Sequence, residues 1–200
     1  MTLLLVRHGE SAGNAQRLIQ GWKPFPLTDR GHRQAEAVAR RLADVGAVAL
    51  YASPIVRGWQ TAAPIAIGTG LTPIETPALR EYGFGEAEGL HWTEAAARWE
   101  LSEHDWGVGG VPGEEGFEVF RTRVAECIEM LAERHSGELA ICVLHAGTMG
   151  TLVGHICGMG PHDHPTLFTG NCGIATVHRD RGRLEIVSLN DQCHVPEEDR

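Results

Sequence analysis

The sequence predicts an α/β layer fold, and three observations carry that prediction. Short apolar runs alternate with amphipathic stretches along most of the chain, the pattern left by strands and helices stacked in layers. Two of the apolar runs stop on a histidine with a glycine close behind, at Arg7-His8-Gly9 and at His145-Ala146-Gly147. The last two runs, Gly173–His178 and Arg183–Leu189, flank Asp180-Arg181-Gly182 and read as a closing β-hairpin.

The elements follow in order. Leu3–Val6 reads as a buried strand. Thr28 caps a helix whose apolar positions Ala35, Val38, Ala39 and Leu42 share one face, and Gly46 ends it. Ala47–Ala52 is the next strand. Ser53-Pro54 is a cap followed by proline at the first helical position, so a helix carrying Val56, Arg57, Gln60 and Thr61 should start there, with Trp59 in its core face. Gly68 and Gly70 close that helix, and another strand is expected near Ile74. Glu118–His135 is the clearest long helix, with Phe120, Val124, Ile128 and Leu131 spaced at threes and fours. Leu139–Leu144 is a third buried strand, followed by a helix through Leu152 and Ile156. The charged tail Pro196–Arg200 is expected to fray. No linker or repeat interrupts the series, so residues 1–200 read as one domain, with a cap insertion expected at about 91–116.

Composition narrows the function classes. At 200 residues with 42% hydrophobic and 22% charged side chains, the chain can bury roughly 70% of its unfolded surface without staples. The formal net charge of −9 argues against nucleic acid as a partner, which needs phosphate-neutralising cations. Lys23 is the sole lysine, so cationic chemistry falls to arginine. Five cysteines with no C-x-x-C pair exclude a disulfide framework or zinc ribbon; Cys142 and Cys157 read as buried and Cys193 as exposed. The first apolar run is too short for a signal sequence and lacks a basic region before it. No apolar stretch approaches the roughly 20 residues of a membrane span. A soluble, cytoplasmic protein with no membrane partner is expected.

The histidines that end two strands are the first candidates for chemistry. Open α/β sheets collect ligands at the carboxyl ends of their strands. There His8, His145 and Arg7 would converge, with Gly9 and Gly147 admitting close backbone approach. A single histidine in such a place more often caps its strand; spacing alone does not decide between the readings. Arg57, in the first turn of its helix, could hold an anion where exposed N–H groups already favour one, or pair with a surface carboxylate. Glu81 could keep a proton in a dry pocket and serve as a general acid, or stand as a solvated charge.

At these residues the chain resembles the histidine phosphatase superfamily, the clan of cofactor-dependent phosphoglycerate mutases. Leu5-Val6-Arg7-His8-Gly9-Glu10-Ser11 followed by Asn14 is similar to its signature. Pro26-Leu27-Thr28 with Gly31 and Gln34-Ala35, Ser53-Pro54 through Arg57 and Gln60-Thr61-Ala62, and Leu79-Arg80-Glu81 with Phe84-Gly85 and Glu88-Gly89 continue the resemblance in order. Pro112-Gly113-Glu114 leading to Arg123-Val124, Val143-Leu144-His145, and Asn171-Cys172-Gly173 complete it over residues 3–190. The resemblance implies a three-layer α/β/α sandwich with a mostly parallel central sheet. It implies a phosphohistidine mechanism with His8 as nucleophile. Arg7, Arg57 and His145 would bind the phosphoryl oxygens with Asn14 adding a hydrogen bond, and Glu81 would act as acid and then base. Ser11, Gly21 and Trp22 become substrate-contact candidates at the entrance. No metal and no other cofactor is implied.

Three departures from the family pattern stand out. Ala146 replaces a glycine, and Lys23-Pro24-Phe25 occupies a loop that often carries aspartate. His162-Asp163-His164 matches nothing in the family; such a triplet can ligate a metal, but no second ligand pair of matching spacing exists, and it reads as a solvated loop. Trp92, Trp99 and Trp106 fall seven apart, a helical packing stripe in the expected cap or an aromatic lid over the pocket.

The expected activity is a metal-independent phosphomonoesterase acting on small phosphorylated metabolites and releasing inorganic phosphate. The alternatives are a phosphoglycerate mutase-type transferase and a non-catalytic phosphate-binding module. Mutases of the clan carry an extra basic segment over the substrate, whereas residues 91–116 hold one cation, Arg98, against five glutamates and one aspartate. A homodimer is open, since monomers and dimers both occur in the clan.

Overall fold

The structure is a computed structural model that describes residues 1–102, 109–159 and 169–200. Its strands are β1 (Thr2–Arg7), β2 (Ala49–Ala52), β3 (Pro73–Glu75), β4 (Leu139–Leu144), β5 (Ile174–Asp180) and β6 (Arg183–Asp191). Its α-helices are α1 (Ala12–Ala15), α2 (Asp29–Leu42), α3 (Val56–Thr69), α4 (Trp92–Arg98), α5 (Phe117–Arg134) and α6 (Ala146–Ile156).

The strands form one sheet in the order β3-β2-β4-β1-β5-β6. The pairs β1–β4, β4–β2 and β2–β3 are parallel, while β5 runs antiparallel to both β1 and β6. Alternation along β4 shows how three layers arise. Ala140, Cys142 and Leu144 face Phe120, Val124 and Ile128 of α5 and Met149 and Leu152 of α6. Ile141 and Val143 face Val38, Ala39 and Leu42 of α2 and Ala62 and Ile65 of α3. A strand covered on both faces must be apolar throughout, which is why Leu139–Leu144 carries no polar side chain. A smaller cluster of Ile19, Ala87, Ala95 and Val111 packs beside the main layers.

The topology places the crevice. The chain leaves β1 toward α2 on one face and leaves β4 toward α6 on the other, although the two strands are neighbours. Their register pairs Arg7 with Leu144, and the His8 amide donates to the Leu144 carbonyl at 3.0 Å. The two strands therefore end level, and His8 and His145 emerge side by side where adjacent strands diverge.

Most expected elements are present, with four corrections. The helix expected at Ser53-Pro54 begins at Val56, with Ile55 at the cap position, because the Ser53 hydroxyl lies against His145 and accepts from the Ile55 amide instead. Trp59 is 39% exposed, since Arg57, Gly58, Thr61, Ala62 and Ile65 make the buried face of α3 and Trp59 falls outside it. The tail does not fray: Glu197–Asp199 form a 3₁₀ turn, and Asp199, 4% exposed, takes a two-pronged grip from Arg33. Cys157 is exposed at the end of α6, whereas Cys142 is buried and Cys193 exposed, as expected. The tryptophan stripe stops at Trp99, which caps α4; Trp92 packs edge-on against Phe84, and Trp106 lies outside the described residues. His162-Asp163-His164 lies outside them too. Among the described residues no helix is long and apolar enough to cross a membrane.

Candidate active site

His8 sits at the carboxyl end of β1 and is 3% exposed. Its Nδ1 lies 2.7 Å from the Gly9 carbonyl. A carbonyl can only accept, so Nδ1 carries the proton and Nε2 keeps its lone pair. Arg57 Nε donates to that Nε2 at 3.2 Å, confirming the tautomer from the other side. Burial, then Arg57 and Arg7, hold the His8 imidazole well below its ordinary value, so the ring is neutral at pH 7.

Among the described residues Arg57 is the largest fully buried side chain, 1% exposed. The first turn of α3 carries it, and its remaining nitrogens donate to the carbonyls of Gly21 at 2.8 Å and Lys23 at 3.2 Å. Burial lowers its pKa to about 10 while Glu81 and Glu88 pull it back up, so the guanidinium remains charged. Gly21 is obligatory for this arrangement. Its φ is +49°, and a Cβ there would meet Glu88 Oε1 at 1.9 Å.

His145 is fully buried at the start of α6, with its ring centroid 5.1 Å from that of His8. Its Nε2 lies 2.7 Å from the Ser53 hydroxyl. Burial and the neighbouring Arg57 keep it neutral as well. Arg7 donates from Nη1 to the Thr169 carbonyl. Arg7 Nε and His145 Nδ1 are buried without a hydrogen-bond partner among the described residues.

Glu81 reaches the same crevice from the segment after β3. Its two carboxylate oxygens accept from the amides of Tyr82 at 2.9 Å and Gly147 at 3.0 Å. A Cβ on Gly147 would stand 2.3 Å from Glu81 Oε1, so only glycine admits the carboxylate. Arg123, from α5, braces this segment by donating to the carbonyls of Ala78, Arg80 and Glu81 at 2.8–2.9 Å while paired with Glu115 at 2.5 Å.

The remaining candidates divide. Asn14 Oδ1 takes the Ser11 amide at 3.1 Å and Asn171 Nδ2 at 3.4 Å, which leaves the Asn14 amide nitrogen as the end able to donate. Ser11 is buried and caps α1, its hydroxyl donating to Gln20 Oε1 and accepting from the Asn14 amide, so it positions Asn14. Gly21 acts through its carbonyl on Arg57. Trp22 forms the rim: its Nε1 donates to the Glu81 carbonyl at 2.8 Å, and Arg80 lies 4.0 Å over its ring.

Four supporting residues escaped the reading of the sequence as functional groups: Ser53, Thr61, Glu88 and Arg123. Thr61 accepts from the Gly9 amide at 3.0 Å, and Glu88 accepts from the amides of Trp22 and Lys23. Their family motifs were visible; their distant partners, 42 to 92 positions away in sequence, were not.

Comparison with known proteins agrees with this geometry. The histidine phosphatase superfamily (branch 1) matches residues 3–192. A Hydrogenobacter thermophilus protein, provisionally named phosphoserine phosphatase 2, is 32% identical over 198 residues, covering 96% of this chain and 97% of its own. A Yersinia enterocolitica protein, provisionally named a phosphoglycerate mutase, is 32% identical over 181 residues, covering 88% of this chain and 84% of its own. The solved structure of an Entamoeba histolytica phosphoserine phosphatase with 3-phosphoglyceric acid superposes with a TM-score of 0.84 at 25% identity, covering 98% of this chain and 99% of that one. The chain belongs to the histidine phosphatase superfamily, branch 1.

Proposed function

We propose that this protein is a phosphomonoesterase that hydrolyses small phosphorylated metabolites through a phosphohistidine on His8. The observation that carries the reading is the fixed His8 tautomer: Nδ1–H is spent on Gly9, and the Nε2 lone pair is presented beside the Arg57 guanidinium. Nε2 attacks phosphorus in line as the ester P–O bond breaks, and Glu81 gives its proton to the departing oxygen. Water then attacks the phosphohistidine, Glu81 takes the water's proton, and the N–P bond breaks to release inorganic phosphate. Arg7, Arg57 and His145, with Asn14 beside them, stabilise the charge on the equatorial oxygens. The unpaired Arg7 Nε and His145 Nδ1 support this, because a phosphoryl oxygen would supply an acceptor for the guanidinium N–H and a partner for the imidazole.

Two guanidinium groups and the His145 imidazole furnish the electrostatic role that a dication plays elsewhere, so turnover is expected to resist chelation. Trp22, and the segment 91–116 acting as a cap, would select the organic leaving group. Glu115 contributes little charge to that selection, since it pairs with Arg123.

The mutase reading shares the first step and differs in the fate of the phosphohistidine; the Yersinia relative's name favours it. Hydrolysis of an aryl phosphate by wild type and His8→Ala, with chelator present, tests the proposal. Turnover that persists with chelator and drops by about 10⁴-fold or more in His8→Ala is expected. Activity retained by His8→Ala refutes it. Interconversion of phosphoglycerates faster than their hydrolysis would establish the mutase instead.

A further inference from the structure

Behind the floor of the phosphate pocket the chain leaves β6 through Asp191, Gln192, Cys193 and His194. One ligand atom from each of Asp191, Cys193 and His194 lies within 4.8 Å of the other two. None of the three has a part in the proposed phosphoryl chemistry.

The histidine is arranged as a ligand. His194 Nε2 stands 3.0 Å from the Cys172 carbonyl, which can only accept, so the proton sits on Nε2 and the lone pair on Nδ1. That Nδ1 is buried and has no hydrogen-bond partner among the described residues. A backbone carbonyl on one ring nitrogen is the arrangement that orients a metal-binding histidine and sets its tautomer. Asp191 is also held: its Oδ1 accepts from the Cys193 amide at 3.0 Å, and the Cys193 side chain hydrogen-bonds to the same carboxylate, so thiol and carboxylate already meet and a metal would take the place of the thiol proton between them. Cys193 is a free, exposed thiol, so the cluster is open to ions from solvent.

We infer that Asp191, Cys193 and His194 bind a zinc-class divalent cation at a site separate from the phosphate pocket. One nitrogen, one thiolate and one carboxylate oxygen form a borderline-soft set suited to a tetrahedral ion with water as the fourth ligand. Ligand atoms in such a site stand about 3.5 Å apart, so the cluster closes by up to about 1.3 Å on binding. Arg41 and Arg200 lie near enough to act electrostatically on the cluster. Two anionic ligands let a dication compete with them. The ion would pin the end of β6 to the 171–172 turn, where Gln192 already donates to the Asn171 carbonyl at 3.0 Å and Asn171 donates to the His8 carbonyl at 3.0 Å. A D-x-C-H run carries neither a C-x-x-C pair nor a second ligand pair of matching spacing, so sequence spacing alone does not mark this site.

The inference goes beyond the phosphatase reading and is tested without turnover. Chelator-stripped protein is titrated with Co²⁺ and followed by absorption. Wild type is expected to bind one ion with a thiolate-to-cobalt charge-transfer band and tetrahedral d–d bands, both lost when Zn²⁺ is added. Cys193→Ser should lose the charge-transfer band, and His194→Gln and Asp191→Asn should each weaken binding at least about tenfold. His8→Asn should bind as wild type does. Zn²⁺ should raise the melting temperature of wild type and leave that of Cys193→Ser unchanged. A wild type without the thiolate band, or a band that survives in Cys193→Ser, overturns the assignment. Cys193 is exposed, so its substitution tests the site without threatening the fold; circular dichroism checks the His194 variant.

Discussion

His8 and His145 are held neutral by burial among guanidinium groups, and that has a consequence for stability as well as for nucleophilicity. In the unfolded chain both rings take up protons near their ordinary value of 6.5, whereas in the fold they do so only well below it. The unfolded state therefore binds more protons across that interval. Stability is full above about pH 6.5 and declines as pH falls toward the folded values, at up to about 1.4 kcal/mol per pH unit for each ring. Urea unfolding at neutral and mildly acidic pH checks this: His8→Asn should show a shallower decline than wild type, and parallel declines would refute it. The same depression keeps the Nε2 lone pair available in mild acid, so His8 does not itself impose an acidic limb near pH 6.5 on its phosphorylation. Glycine supplies the other prediction at this scale. Gly147→Ala forces the Glu81 carboxylate aside, because the new Cβ has no room. It should lower kcat about 100-fold, with little change in urea midpoint. A variant with unaltered kcat would mean that Glu81 tolerates displacement.

Elements rather than single residues decide how rigidly the acid is presented. The Glu81 segment has little regular structure of its own and is clamped by Arg123, whose planar fork spans three carbonyls and Glu115. Lysine cannot reproduce that fork. Arg123→Lys should reduce kcat about 10- to 100-fold while leaving KM within a small factor, since the clamp sets the position of Glu81 and not the phosphate contacts. An equal effect on binding would reassign Arg123 to substrate. Much at this scale was legible in the sequence. The strand Leu139–Leu144 and the α2 face Ala35, Val38, Ala39 and Leu42 followed from apolar periodicity alone. What was not legible had non-local causes. Ser53 signals a helix cap by every local rule, yet its hydroxyl serves a histidine 92 positions away. Trp59 signals core by composition, yet α3 spends its inner face on Arg57 and small residues. Asp199 looks like a frayed end until Arg33 is placed beside it.

At the scale of the molecule, an acidic protein with net charge −9 concentrates two cations at one crevice, Arg57 buried and Arg7 half-buried. The cost of keeping guanidinium groups there is offset only partly by Glu81, and an anion that binds the fold but not the unfolded chain would offset the rest. Inorganic phosphate should therefore stabilise the protein by about 2.7 kcal/mol at a hundred times its dissociation constant. Arg57→Ala should abolish that gain in a thermal or urea titration. A gain that survives in Arg57→Ala would place the anion elsewhere. The family signature made this crevice predictable, because its motifs are short and lie at strand ends. The bracing around it, drawn from Arg123 on α5 and from Gln192 on Asn171, depends on which distant segments the sheet order brings together.

Lys23 gives the crevice a chemical address. It is the sole lysine in the chain, its ammonium donates to the Glu88 carbonyl, and its own carbonyl receives Arg57. Amine-directed reagents thus meet one side-chain target, and it stands at the mouth of the pocket. A fluorophore coupled there would report on the crevice without mutagenesis once the α-amino group, the other amine such a reagent meets, is blocked. Random amine immobilisation would, through this lysine, attach the protein to a surface beside its own crevice.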